Sequence, residues 1–198
     1  VSVPPTHVTG ELERPKRLPP DPQTEFAVVD PLIYTSDAAF LSQLNAELVR
    51  RPRGQREILL FVHGYNTTTS DAILRLGQFV EDTGFTGVPV LFTWASAAKT
   101  PRYVYDLNSA LVARSHLKEV ADILMKTRAD RVSILAHSMG TFLTMEGLVD
   151  AQLSGRLGKR NKIDTVMLAS PDIDIDLFRT QVAILPEAFR EKIYVLVS

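Results

Sequence analysis

Two periodicities alternate along this chain. Short, mostly apolar runs of strand length, rich in Val, Ile, Leu and Phe, occupy residues 57–62, 88–94, 131–136 and 163–169. Apolar residues at consecutive positions are the mark of strands buried on both faces. Between them the spacing turns helical. Phe40, Leu41, Leu44 and Leu48 follow a start signal at Thr35, Ser36 and Asp37, and Arg51 to Gly54 stop the helix. A second helix is predicted from about Thr69 through Ile73, Leu74, Leu76 and Phe79 to Gly84. A third runs from Asp106 to Thr127 with Leu117, Val120, Ala121 and Leu124 on one face. A fourth runs from behind Ser138 to about Leu153, and a short fifth covers residues 174–182. Ile193 to Val197 reads as one more strand, and Phe26 to Val29 as a short edge strand closed by Asp30 and Pro31.

Strands of this length alternating with helices predict an α/β fold: a mostly parallel central sheet with helices on both faces. Right-handed crossovers then gather the polar strand ends on one edge, where open α/β sheets place their ligands. His63, Gly64 and Tyr65, Trp94 to Ser96, Ser138 and Asp172 all fall there. Residues 1–25, with Pro4, Pro5, Pro15, Pro19, Pro20 and Pro22 among mixed charges, read as a surface arm or linker. Residues 26–198 read as the domain.

The chain has 198 residues, 45% hydrophobic and 23% charged, with a net charge of -1. That balance argues against a nucleic-acid partner and against disorder. The one dense basic cluster, Arg50, Arg51, Arg53 and Arg56, reads as a solvated loop rather than a polyanion site. Without cysteine there are no disulfides, thiolate metal sites or cysteine nucleophiles. No apolar run reaches the roughly 18 residues of a membrane span. The first residue is valine, so a segment is expected to have been removed upstream, and export after loss of a signal is one reading. Oligomeric state is not legible.

The stretch from Arg131 to Gly140 carries the chemistry. A buried strand meets Ser138 at a turn, and a helix follows at once. A nucleophile elbow needs that arrangement, because the serine sits in a strained turn with small residues two before and two after it, here Ala136 and Gly140. The competing reading is a serine that caps the helix.

Taken together, Phe61-Val-His-Gly-Tyr-Asn66, Phe92-Thr-Trp-Ala-Ser96 and Ala136-His-Ser-Met-Gly140 resemble the α/β-hydrolase superfamily. More closely, they resemble a bacterial family that carries F-V-H-G-Y-N followed by A-H-S-M-G and has no single defined reaction. The resemblance runs from the arm to the last residue. Where that family has W-P-S this chain has Trp94-Ala95-Ser96, which should loosen the loop at the pocket edge.

The resemblance implies a serine hydrolase of the carboxylesterase or lipase kind. Ser138 is then the nucleophile, and the backbone N–H groups of Met139 and Tyr65 form the oxyanion hole, with Asn66 a weaker candidate for the second donor. His63, Asn66 and Trp94 stand at the pocket, with Tyr103 and Tyr105 as further candidates. The expected partner is a small acyl ester, with no cofactor and no metal. Asp172 is a candidate for the triad acid, the alternative lying one strand later, beyond Ser198. The run Asp172, Asp174 and Asp176 also fits helix capping, and it lacks the glycine and glutamate of a calcium loop.

No histidine follows Ser138, although triads of this fold run serine, acid, histidine. His137 is expected to point into the sheet packing and His63 to orient the oxyanion loop. His116 is expected on a helix, and His7 in a mobile arm. The fold is therefore expected to lack its C-terminal part, with the histidine outside this chain and the chain itself inactive or weakly active. A non-catalytic scaffold of the same fold, or an acyltransferase, are the alternatives.

Overall fold

The computed structural model describes residues 1–96, 103–158 and 161–197, with backbone only at 103 and 104. In chain order the elements are α1 (Asp37–Val49), β1 (Glu57–Val62), α2 (Thr69–Thr83), β2 (Val88–Phe92), α3 (Tyr103–Lys126), β3 (Arg131–His137), α4 (Met139–Leu153), β4 (Ile163–Ala169), α5 (Ile175–Ile184), α6 (Glu187–Arg190) and β5 (Ile193–Leu196). The five strands form one parallel sheet in the order β2-β1-β3-β4-β5. From β1 the chain moves outward to β2, returns past β1 to β3, and then proceeds to the other edge. The direction reverses between β1 and β3, and a crevice opens there at the carboxyl ends.

Strand parity sorts the core. Ile58, Leu60, Val62 and Ile134 join Leu48 of α1, Leu117 and Leu124 of α3, and Leu143 and Leu148 of α4 in the larger cluster. Leu59, Phe61 and Leu135 face the other way and meet Leu76, Phe79 and Val80 of α2. Toward β5 this second face loses its cover. Tyr194 and Leu196, which pair in register with Met167 and Ala169, stay about half exposed. Among the described residues, no helix is long and apolar enough to cross a membrane.

The helix ends follow local chemistry. Ser36 accepts from the Ala39 N–H at the start of α1, Thr68 accepts from the Asp71 N–H at the start of α2, and Gly84 closes α2 at φ 60°. Three expectations change. α3 begins at Tyr103 rather than Asp106, and the short α6 was not foreseen. Phe26 to Val29 is no strand of the sheet. Ala27 instead exchanges both backbone bonds with Ser2, and the Phe26 N–H is taken by the Glu13 carbonyl. The continuation of the expected loop past Ser96 lies outside the described residues. In the basic cluster, Arg51 is committed to the carbonyls of Glu47, Thr86 and Gly87, tying α1 to the approach to β2.

The N-terminal segment clasps α2, so the expectation of a mobile His7 is corrected. Its ring lies between Glu13 Oε2 and Asp82 Oδ1, each at 2.8 Å, with the side chain only 9% exposed. Phe26 beneath it is fully buried, and Arg14 pairs with Asp71 at the start of α2. The bond to Glu13, then that to Asp82, raises His7 above the ordinary histidine value of 6.5. The same bonds are the leading cause that lowers Glu13 and Asp82 below 4.5 and 3.8. A raised histidine contributes stability that is complete below its unfolded value and lost as pH rises through the folded one. The depressed carboxyls contribute above their unfolded values and lose that on acidification. The clasp is therefore tightest between these limits. His7→Gln should lower the melting temperature most near about pH 5.5 and least at about pH 9. A pH-independent difference in paired melts would show that charge plays no part.

Candidate active site

The elbow forms because β3 ends where α4 must begin. Ser138 joins them at φ 52° and ψ -127°, a conformation that L-residues avoid and that surrounding contacts must impose. Those contacts come from three directions. The Ser138 N–H donates to the Ala169 carbonyl at 3.0 Å, and the Ser138 carbonyl accepts from the Thr141 N–H at 2.9 Å and the Asp172 N–H at 3.4 Å. Thr141 Oγ1 also donates to that carbonyl, at 2.5 Å. The side chain makes no capping bond to α4, so the helix-cap reading does not hold. Ser138 is half-buried, and the N–H of Met139 opens the helix behind it.

Two glycines let the end of β1 close on this turn. A Cβ on Gly140 would lie 2.5 Å from both the Val62 and His63 carbonyl oxygens. A Cβ on Gly64 would lie 2.7 Å from Ser138 Cβ and 2.8 Å from the His137 carbonyl oxygen. The Gly64 backbone therefore rests directly against the serine, and Tyr65 and Asn66 follow, Asn66 at φ 54°. The need for a small residue at 140 was legible in the sequence. The contact at Gly64 was not, because it joins residues far apart in the chain.

His63 is 2% exposed and held at both ring nitrogens: Nε2 accepts from the Trp94 N–H at 3.1 Å and Nδ1 pairs with the Gly64 carbonyl at 2.9 Å. An accepting Nε2 puts the proton on Nδ1, which donates to Gly64. Burial lowers the pKa of this ring, opposed by the bond to Gly64 and by the charge of Asp106. The Trp94 indole stacks on it, with ring centroids 5.3 Å apart, and donates Nε1–H to the His63 carbonyl at 2.9 Å.

A groove of about 780 Å³ runs beside the loop, lined by His63, Gly64, Tyr65 and Asn66 and floored by Phe61, Leu135 and Ala169. His137 also lines it, which corrects the expectation that this side chain packs into the sheet. It shares a face with Leu135 at the strand end, exposed in a groove that Arg75, Leu76 and Phe79 of α2 also line. Partial desolvation, then the charge of Arg75, lowers its pKa. Trp94 does not line this groove; with Tyr105 it faces a separate cavity of about 560 Å³ near the start of α3. The side chain of Tyr103 lies outside the described residues. His116 is exposed on α3, 3.4 Å from Glu119.

Asp172 is half-buried, and its amide touches the elbow through the Ser138 carbonyl. It does not cap α5. Asp174 does, accepting from the Asp176 and Leu177 N–H groups at 3.0 Å each. Asp106 and Thr67, to which the sequence assigned no part in the site, join it through Ser96. Asp106, fully buried, accepts from Ser96 Oγ at 2.7 Å, and Ser96 Oγ accepts from the Thr67 N–H at 3.4 Å. The acid at a helix start carried no signal of its own.

Residues 36–198 match the family DUF900, described as alpha/beta hydrolase of unknown function, so the clasp lies almost wholly outside the matched stretch. No curated protein matches the chain. Among solved structures it is similar to phospholipase PlaB from Legionella pneumophila, at 13% identity and a TM-score of 0.37, over 58% of this chain and 25% of that one. It is also similar to brefeldin A esterase, described as a bacterial homologue of human hormone sensitive lipase, at 15% identity and a TM-score of 0.34, over 81% of this chain and 58% of that one. The chain thus spans a quarter of the first protein's length and just over half of the second's.

Proposed function

The chain belongs to this family of α/β hydrolases of unknown function, and from that premise we propose that it is a serine hydrolase acting on acyl esters. The observation that carries the reading is the strained Ser138, whose hydroxyl is not spent on capping α4 while the Gly64 backbone rests against it. In the proposed reaction Ser138 Oγ attacks the ester carbonyl carbon as a base takes its proton. The carbonyl oxygen gains the negative charge and is held by the Met139 and Tyr65 N–H groups. Collapse of this intermediate expels the alcohol, which receives the proton, and leaves an acyl-serine that water then hydrolyses. Each donor is worth about 3 kcal/mol at the transition state.

None of the four histidines fits the role of base. His7 is held between Glu13 of the N-terminal segment and Asp82 of α2, His63 is bonded at both nitrogens, His116 is exposed on α3 beside Glu119, and His137 faces the groove on the parity opposite to Ala136. The proposal therefore places the base outside these 198 residues, with Asp172 as the acid candidate beside the elbow.

Two measurements test this. A fluorophosphonate should label the protein on the tryptic peptide containing Ser138. Added imidazole, standing in for the base, should speed that labelling by roughly tenfold or more, within the range of general-base effects. No adduct at Ser138, with or without imidazole, would remove the hydrolase reading and favour a non-catalytic scaffold. Product analysis with a competing alcohol separates hydrolysis from acyl transfer.

A further inference from the structure

We propose that Asp106 is a positioning residue that holds the oxyanion loop in place through Ser96 and Thr67; the catalytic meaning of this rests on the hydrolase reading above. A carboxylate with no exposed surface is unfavourable unless hydrogen bonds compensate it. Asp106 meets that need in the first turn of α3, where the helix N-terminus also favours negative charge. Its partner there is informative. Ser96 Oγ donates to Asp106 Oδ2 at 2.7 Å, and this fixes the direction of the hydroxyl proton. The lone pairs of Ser96 are thereby turned away from Asp106 and toward the Thr67 N–H, 3.4 Å away. Thr67 Oγ1 in turn donates to the Tyr65 carbonyl at 3.1 Å. The chain of bonds thus runs from a buried charge on α3, across the end of β2, to the residue whose N–H is proposed to face the oxyanion.

The loop is gripped from its other end as well. His63 joins Gly64 to the Trp94 backbone, as described above, and Trp94 and Ser96 belong to one short segment whose Ser96 N–H donates to the Trp94 carbonyl at 2.8 Å. Residues 63–67 are therefore fastened twice to the segment after β2, and Asp106 anchors that segment. An oxyanion donor is useful only if it is already aimed before charge develops. Asn66, at φ 54°, lies between the two attachments, where a slackened loop would relax first.

The test uses Asp106→Leu, Ser96→Ala and Asp106→Asn. The asparagine keeps an oxygen for Ser96 Oγ, and the other two variants break the chain. Two readouts are taken: amide hydrogen exchange of residues 64–67, which requires no reaction, and the maximal rate of phosphonate labelling with its half-saturating concentration. The expected result is exchange at 64–67 faster by roughly tenfold or more in Asp106→Leu and Ser96→Ala, with the strands unchanged. Labelling should slow by roughly 10- to 100-fold in the maximal rate with little change in half-saturation, since part of one donor's contribution is lost. Asp106→Asn should stay within about threefold of the parent. Unchanged exchange and labelling in a folded Ser96→Ala and Asp106→Leu would overturn the proposal. So would an equal loss in Asp106→Asn. If the parent protein takes no label but exchange responds as stated, the loop assignment stands and the hydrolase reading falls.

Discussion

Ser138→Gly is expected to yield a protein that melts higher than the parent and no longer reacts with a serine-directed phosphonate. At φ 52° and ψ -127° the serine occupies a region that only glycine enters without strain. Such strain costs about 1–3 kcal/mol. Glycine recovers it and loses about 0.4–1 kcal/mol through the freer unfolded chain. The net gain is about 1 kcal/mol, or roughly 2–4 °C in melting temperature for a chain of this size. Ser138→Ala supplies the control. It keeps the Cβ and therefore the strain, so its melting temperature should stay within about 1 °C, and it too should take no label. If both variants melt alike, the strain is not borne at this residue. A label that survives in either would move the nucleophile elsewhere. One position thus bears a loss of stability maintained for reactivity.

Gly140→Ala should be strongly destabilising. Its Cβ would lie 2.5 Å from two main-chain oxygens, Val62 and His63, at the end of β1. Neither oxygen belongs to a side chain that can swing aside, so relief requires α4 to move off β1. Overpacking of this kind costs about 3 kcal/mol at the upper end of its usual range, which lowers the melting temperature by roughly 6–12 °C. Gly147→Ala on the same helix is the comparison. There the new Cβ meets only the end of the Leu117 side chain, at 3.1 Å, and alanine favours helix by about 0.8–1 kcal/mol. That variant should be close to neutral. Equal melting temperatures for the two variants would show that the close approach of α4 to the end of β1 sets no special cost at residue 140.

How much of this was readable beforehand depends on whether a feature is local. β1 and β3 announce themselves because a parallel sheet covered on both sides demands consecutive apolar residues, and Ile58 to Val62 supply them. The elbow is local too, since steric crowding acts two residues either side of Ser138. Features built from distant residues were not legible. His7 looks like any polar residue in a proline-rich arm until Asp82 of α2 is brought to it. Asp106 looks like an ordinary acid at a helix start until Ser96 arrives from the end of β2. His137 was misjudged for a different reason. It shares a face with the buried Leu135, but whether packing on that face continues to the strand end or gives way to an open groove cannot be counted from the sequence.

The strand order bears on how the chain is made. β1 lies between β2 and β3, and Glu57 is joined to Arg131 across 74 positions of sequence. A ribosome adds about 5–20 residues per second, so β1 waits roughly 4–15 s for its second neighbour after it leaves the exit tunnel. Throughout that interval an uncharged segment, Ile58 to Val62, carries one open edge, the kind of surface on which nascent chains stick to one another. Synthesis of this protein is therefore expected to lean on holding chaperones until the second half of the sheet has emerged.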